Sequence, residues 1–262
     1  MQIGLSMVNG NFLININMKI FYRTIFFISL VVLVSFQKKS ITLFMAGDST
    51  MSIKADNKRP ETGWGIPFAA MFNETVHVEN RAANGRSTRT FIAEGKWKSI
   101  IDEAKEGDYV MIQFGHNDQS KEKVDRYTSP EDYKKNLELF VAEVRSKKAI
   151  PILLTPIVRR RFDKEGKFYD AHGIYPTLVR EVAKEQQVIL IDMQQKTEQL
   201  LSKLGKEESI KLFLHLDSAQ HVNYPKGIKD DTHLNEYGAK IFAELAKDEL
   251  KELSIELSNR LK

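Results

Sequence analysis

Four short apolar runs decide what this chain folds into. Ile41-Thr-Leu-Phe-Met-Ala46, Tyr109-Val-Met-Ile-Gln-Phe114, Ile150-Pro-Ile-Leu-Leu-Thr155 and Val188-Ile-Leu-Ile-Asp192 have strand length, and each is almost continuously hydrophobic. A strand with one wet face alternates, whereas a continuous run fits a strand buried on both faces of a parallel sheet. Thr75-Val-His-Val-Glu-Asn80 is a shorter, alternating fifth candidate. Helix-length amphipathic stretches lie between and after these runs: Lys96 to Lys105, Pro130 to Lys147 behind a capping Ser129, Tyr175 to Gln187, and Asn235 to Leu253. The βαβα order predicts a three-layer α/β/α domain with right-handed crossovers. Residues 40–262 read as one domain without internal repeats, and Gly205 to Gly227 shows no obvious strand.

The first 39 residues belong to a different class. They hold Lys19, Arg23, Lys38 and Lys39 and no acid. Lys19 and Arg23 followed by the apolar Ile25 to Phe36 have the pattern of an export signal, with Met18 as a candidate start. The apolar run is shorter than the roughly 20 residues of a spanning helix. No Ala-x-Ala cleavage site is visible; cleavage after Ser35, an uncleaved anchor and a first buried helix are the options. An exported protein, periplasmic or extracellular, is the expectation. The four leader cations account for the whole excess of 39 basic over 35 acidic residues. A body of zero formal charge offers no general field for nucleic acid. The absence of cysteine excludes disulfides, thiolate metal sites and a cysteine nucleophile.

Ligands of an open parallel sheet sit at the carboxyl ends of its strands. Ser49 falls just after the first strand, Gly85 after the second and Asn117 after the third, so the three should converge. Ser49 needs a base to become a nucleophile, and His233 in Asp230-Asp-Thr-His233 is the candidate. On a helical turn the Asp230 carboxylate would reach His233 Nδ1, fix the tautomer and leave Nε2 for Ser49. Asp231 is the second choice for that role. Gly85 and the Asn117 side chain are candidate donors to an oxyanion, with the backbone of Ser49. Asp48 and Asp118 read as loop ties, and His116 as either a cleft or a packing residue.

The blocks Gly47-Asp-Ser-Thr50, Gly85, Gly115-His-Asn-Asp118 and Asp230-Asp-Thr-His233 resemble the GDSL, or SGNH, hydrolases. The resemblance implies a flavodoxin-like five-stranded parallel sheet, a Ser49–His233–Asp230 triad, and an oxyanion hole of Ser49, Gly85 and Asn117, with no metal or other cofactor. Thr155 to Asp163 and His172 to Pro176 are similar to the rhamnogalacturonan acetylesterase branch, as is Thr in place of the Leu of the broader motif. That branch implies an acetylated acidic polysaccharide as substrate and no nucleic-acid partner; a monomer is expected. Arg159, Arg160 and Arg161 follow the fourth strand and are candidates to grip a uronate carboxylate. Trp64, Phe168, Tyr175 and Tyr224 are candidates to stack on sugar rings. Among rivals, a metallophosphoesterase lacks its Asp-x-His and Asn-His signatures here. A non-catalytic glycan-binding protein would not need the full residue set. A lipase or thioesterase of the same family would call for a more apolar lid.

Overall fold

The computed structural model describes Gly4–Val8, Asn11–Asn15 and residues 40–262. The first two segments are strands β1 and β2, paired antiparallel with Gly4 opposite Asn15. The apolar stretch Ile25 to Phe36, read above as the core of an export signal, lies outside the described residues.

In the body, β3 (Ile41–Gly47), β4 (Val76–Asn80), β5 (Tyr109–Gln113), β6 (Ile150–Leu154) and β7 (Ile189–Ile191) form a five-stranded sheet. The order is β4-β3-β5-β6-β7 and every pair is parallel, the flavodoxin-like arrangement. Because side chains alternate across a strand, each apolar run feeds two cores. Leu43, Met45, Tyr109, Met111, Ile152 and Leu154 face one side. Phe44, Ala46, Val110, Ile112 and Leu153 face the other.

Helices α1 (Gly65–Ala69), α6 (Met193–Glu208) and α7 (Glu236–Glu252) cover the first face through Phe68, Leu201, Phe242, Ala246 and Leu250. The second face lies under α2 (Thr88–Ala93), α3 (Lys96–Glu103), α4 (Pro130–Ser146) and α5 (Tyr175–Glu185), through Phe91, Trp97, Phe140, Val144 and Val182. Caps set the starts of the helices. The Ser129 side chain accepts from Asp132 N ahead of Pro130, and Asn235 accepts from Gly238 N.

Two expectations are corrected. Gly205 to Gly227 does contain a strand, β8 (Phe213–Leu216), which pairs antiparallel with β9 (Ile228–Leu234). Asp230 and His233 therefore sit on a strand and not on a helical turn. In a regular strand, residues three apart point to opposite faces. The ladder breaks here: Leu214 faces Asp230 while the adjacent Phe213 faces Leu234. Asp231, Thr232 and His233 are left without partners across the ribbon, and this bulge turns His233 back toward Asp230.

Candidate active site

The chain leaves β3 through Gly47 and a fully buried Asp48. Asp48 Oδ1 accepts from Thr50 N and Thr50 Oγ1, both at 2.9 Å, and Asp48 O accepts from Met51 N and Ser52 N. This curls the backbone into a tight turn with Ser49 at its tip. Asp48 is thus a loop tie, as expected. Burial raises its pKa despite the bonds from Thr50.

Opposite that turn, His233 Nε2 lies 2.9 Å from Ser49 Oγ, and His233 Nδ1 lies 2.7 Å from Asp230 Oδ2. Asp230 Oδ1 accepts from the backbone N–H of Thr232 at 2.7 Å and of His233 at 3.0 Å. Burial works against ionising Asp230, but the bonds and charge of His233, with the Thr232 N–H, prevail and hold its carboxyl at about 2. Asp231 is turned away. Its Oδ1 meets Arg160 Nη1 and His215 Nε2, each at 2.8 Å.

Gly85 and Asn117 line the same cleft as Ser49, Asp230 and His233, a cavity of about 370 Å³. Gly85 adopts φ +74°, a conformation that disfavours any side chain, and a Cβ there would stand 3.0 Å from Arg126 Nη1. Asn117 Nδ2 donates to Arg86 O at 3.0 Å, which fastens the two loops together and leaves a second amide hydrogen. Asp118 is the next tie. Its Oδ1 accepts from Thr88 N and Thr88 Oγ1, and burial pushes its carboxyl up to about 6.

His116 lines the cleft as well. It ends a buried chain in which Asp170 Oδ1 meets His172 Nδ1 at 2.7 Å and His172 Nε2 meets His116 Nδ1 at 3.1 Å. Burial, together with His172, Arg159 and His233, pushes the pKa of His116 far down, so its ring stays neutral.

The arginine run separates. Arg159 lines the cleft and donates to Thr232 Oγ1 at 2.7 Å and His116 O at 3.0 Å. Arg160 is buried against Asp231, Ser209 Oγ and Lys206 O, so it braces the bulge of β9 and is not part of the cleft lining. Arg161 is exposed and is not part of the cleft lining. Tyr175 is also corrected: it is buried beside Tyr133 and donates its hydroxyl to Thr128 O at 2.6 Å, away from the cleft. Trp64 is a core residue bonded to Gln113, Phe168 packs on Phe162, and Tyr224 donates to Lys58 O.

Sequence reading missed Lys54, Glu61, Lys58, Lys123 and Arg126. All but Lys54 line the cleft. Lys54 Nζ lies beneath it, bonded to Glu61 Oε1 at 2.7 Å, Asn84 Oδ1 at 2.8 Å and the carbonyl of Ser49. Nothing distinguishes these residues from ordinary loop charges in the sequence. Among the described residues, no group of three or more His, Asp or Glu side chains is arranged to hold a metal ion.

Comparison with known proteins agrees with this geometry. The model of the GDSL-like lipase/acylhydrolase family matches residues 45–241. The rhamnogalacturonan acetylesterase RhgT of Bacillus subtilis is 40% identical over 224 residues, covering 86% of this chain and 95% of that protein. The probable rhamnogalacturonan acetylesterase YesY of the same organism is 34% identical over 220 residues, or 84% of this chain and 96% of that one. The crystal structure of Bacillus subtilis YxiM superposes with a TM-score of 0.71 at 27% identity, spanning 84% of this chain and 58% of that one. The acetylxylan esterase Axe2 of Geobacillus stearothermophilus shares the fold, with a TM-score of 0.59 at 20% identity over 84% of this chain and 96% of its own. The chain belongs to the GDSL-like lipase/acylhydrolase family and is a carboxylic ester hydrolase.

Proposed function

We propose that this hydrolase removes O-acetyl groups from an acetylated acidic polysaccharide of the rhamnogalacturonan type, through a covalent acetyl-Ser49 intermediate. The observation that carries the reading is the unbroken line Asp230–His233–Ser49 opening on a cleft that also holds Gly85 and Asn117. In the first half-reaction Ser49 Oγ bonds to the acetyl carbon while His233 Nε2 takes the hydroxyl proton. Asp230 keeps the His233 proton on Nδ1 and stabilises the imidazolium that forms. The oxyanion of the tetrahedral intermediate falls to the backbone N–H groups of Ser49 and Gly85 and to the free amide hydrogen of Asn117. As the C–O bond to the sugar breaks, His233 returns the proton to the leaving sugar oxygen. Water then repeats the sequence on acetyl-Ser49 and releases acetate.

The charge of the cleft supports an anionic polymer. Its two acids already have partners inside the protein, Glu61 with Lys54 and Asp230 with His233. Arg126 is paired with Asp125 at 2.9 Å, and the cations Lys58, Lys123 and Arg159 remain as a surplus around the cleft. Uronate carboxylates complement such a rim, whereas a neutral acetylated glycan gains nothing from it. The names of the two Bacillus relatives favour the same substrate class.

Acetate release from acetylated rhamnogalacturonan and from acetylated xylan tests the proposal. Preferential release from the former, abolished by Ser49→Ala, is expected. Equal rates on both would remove the anionic substrate, and turnover by pure Ser49→Ala protein would remove the serine mechanism. The basic and then apolar pattern from Lys19 to Phe36 supports export and action outside the cytoplasm, and we take the exported enzyme to be a monomer. Fractionation of cells making the full chain, followed by sizing of the product, checks both points.

A further inference from the structure

Asp230 serves the back of the His233 ring. A second carboxylate stands on the reacting side, where Glu61 Oε1 is 3.9 Å from the same Nε2 that meets Ser49 Oγ. The distance is too long for a hydrogen bond and short enough for strong charge coupling. Left alone, a carboxylate so placed would favour the imidazolium and work against the base. It is not left alone, since the Lys54 ammonium sits 2.7 Å from that oxygen. Lys54 is almost wholly enclosed, at 1% side-chain exposure, and Glu61 is at 12%. A buried ammonium needs acceptors for all three of its hydrogens. Here they go to Glu61, to the carbonyl of Ser49 and to the Oδ1 of Asn84, the residue before Gly85.

We infer that Lys54 and Glu61 act as one positioning unit for the reaction: Lys54 ties the nucleophile's carbonyl to the oxyanion loop and cancels the charge that Glu61 places before His233. The inference rests on the proposed roles of Ser49 and His233. The other groups that couple to His233 are Asp230 beside Nδ1, Asp48 under the nucleophile turn, and His116 across the cleft. Arg159 couples to Asp48, Asp230 and His116, and Tyr224 faces Glu61. None of these bonds to Lys54, but the Lys54 charge also reaches Asp48 and Asp230, so Lys54→Met acts on three carboxylates while Glu61→Gln removes one.

The test is the pH profile of kcat/KM on a small neutral acetyl ester. It uses the full chain and the variants Lys54→Met, Glu61→Gln and Lys54→Met/Glu61→Gln, with labelling of Ser49 by a fluorophosphonate. A unit charge about 4 Å away, partly screened, moves a titration by about one unit or more. Lys54→Met should therefore shift the acid limb up by about one unit. Glu61→Gln leaves the ammonium unopposed and should shift the limb down. The double variant should bring the limb back to the wild-type position while kcat stays low, because the tie between Ser49 and Asn84 is gone. Glu61→Gln keeps an acceptor for Lys54, so it remains informative if Lys54→Met does not fold. Acid limbs that stay in place in every folded variant, whatever the loss in rate, would overturn the inference. Failure of Ser49 to label in the wild-type protein would instead strike the serine mechanism beneath it.

Discussion

Replacing Asp230 with Asn separates the chemical role of this residue from its structural one. The Asn carbonyl oxygen can still accept from the N–H groups of Thr232 and His233, which now bond to Asp230 Oδ1. Its amide nitrogen then faces His233 Nδ1, where the carboxylate oxygen lies at 2.7 Å. Two donors cannot face each other, so the ring must carry its proton on Nε2, pointing at Ser49 Oγ. A base in the wrong tautomer costs about 10⁴ in kcat. The stability cost follows from linkage. The carboxyl is held at about 2 against an ordinary 3.8, and a gap of nearly two units amounts to about 2 kcal/mol. Because the folded-state value is depressed, that contribution is complete above the unfolded value and disappears as pH falls through the folded one. Urea unfolding of wild type and Asp230→Asn should therefore differ by about 2 kcal/mol at pH 7 and converge toward about pH 2. Kinetics on a small acetyl ester report the chemistry separately. Asp231→Asn, which touches the Arg160 pair, should lose stability and keep most of the kcat of the folded fraction. If Asp230→Asn retains a tenth of the activity, or Asp231→Asn is the more damaging to kcat, the assignment of the orienting carboxylate is refuted.

Other expectations are as direct. Arg160→Met should destabilise by about 2 kcal/mol in denaturant, since it takes a charged hydrogen-bond partner from the half-buried Asp231; a change within about 0.5 kcal/mol would contradict the bracing role. Lys58→Gln combined with Lys123→Gln should lower the ratio of polymer to small-ester turnover at least several-fold and flatten its salt dependence; an unchanged ratio would detach the rim from substrate binding. The Asp118 carboxyl, raised from 3.8 to about 6, binds its proton more tightly in the folded state, so wild-type stability should fall as pH rises between those values, by about 3 kcal/mol in all. Asp118→Asn should lack that slope, as measured by thermal or urea unfolding across the window.

The sheet was legible because both of its faces are buried, and such strands announce themselves as continuous apolar runs. Their observed ends fall within two residues of the reading. The convergence of Ser49, Gly85 and Asn117 followed from the strand ends alone. Helix α6 was not legible: after Met193 its only large apolar residues are Leu200, Leu201 and Leu204, too few for a clear stripe. β8 is four residues long, and its pairing with β9 is a tertiary event with no local pattern. The arginine run misled because adjacency in sequence is not adjacency in space. Arg159 reaches the cleft and Arg160 plugs into the β9 bulge. Lys54 and Glu61 looked like two charges in a polar loop, since whether a charge is buried depends on what packs over it.

The break in the β8–β9 ladder makes catalysis a matter of counting. On a helix, the spacing from Asp230 to His233 would be one choice among several that share a face. On this ribbon it is set by how many residues are left over between two fixed rungs, Leu214 with Asp230 and Phe213 with Leu234. Removing one of Asp231, Thr232 or His233 changes the length of that excursion while both rungs stay where they are. The five-stranded sheet could absorb the loss of Thr232, although the Phe213–Leu234 rung packs into the first core and Asp231 holds Arg160. The line from carboxylate to imidazole to hydroxyl could not, and the chain would remain a well-formed α/β domain without its base in place.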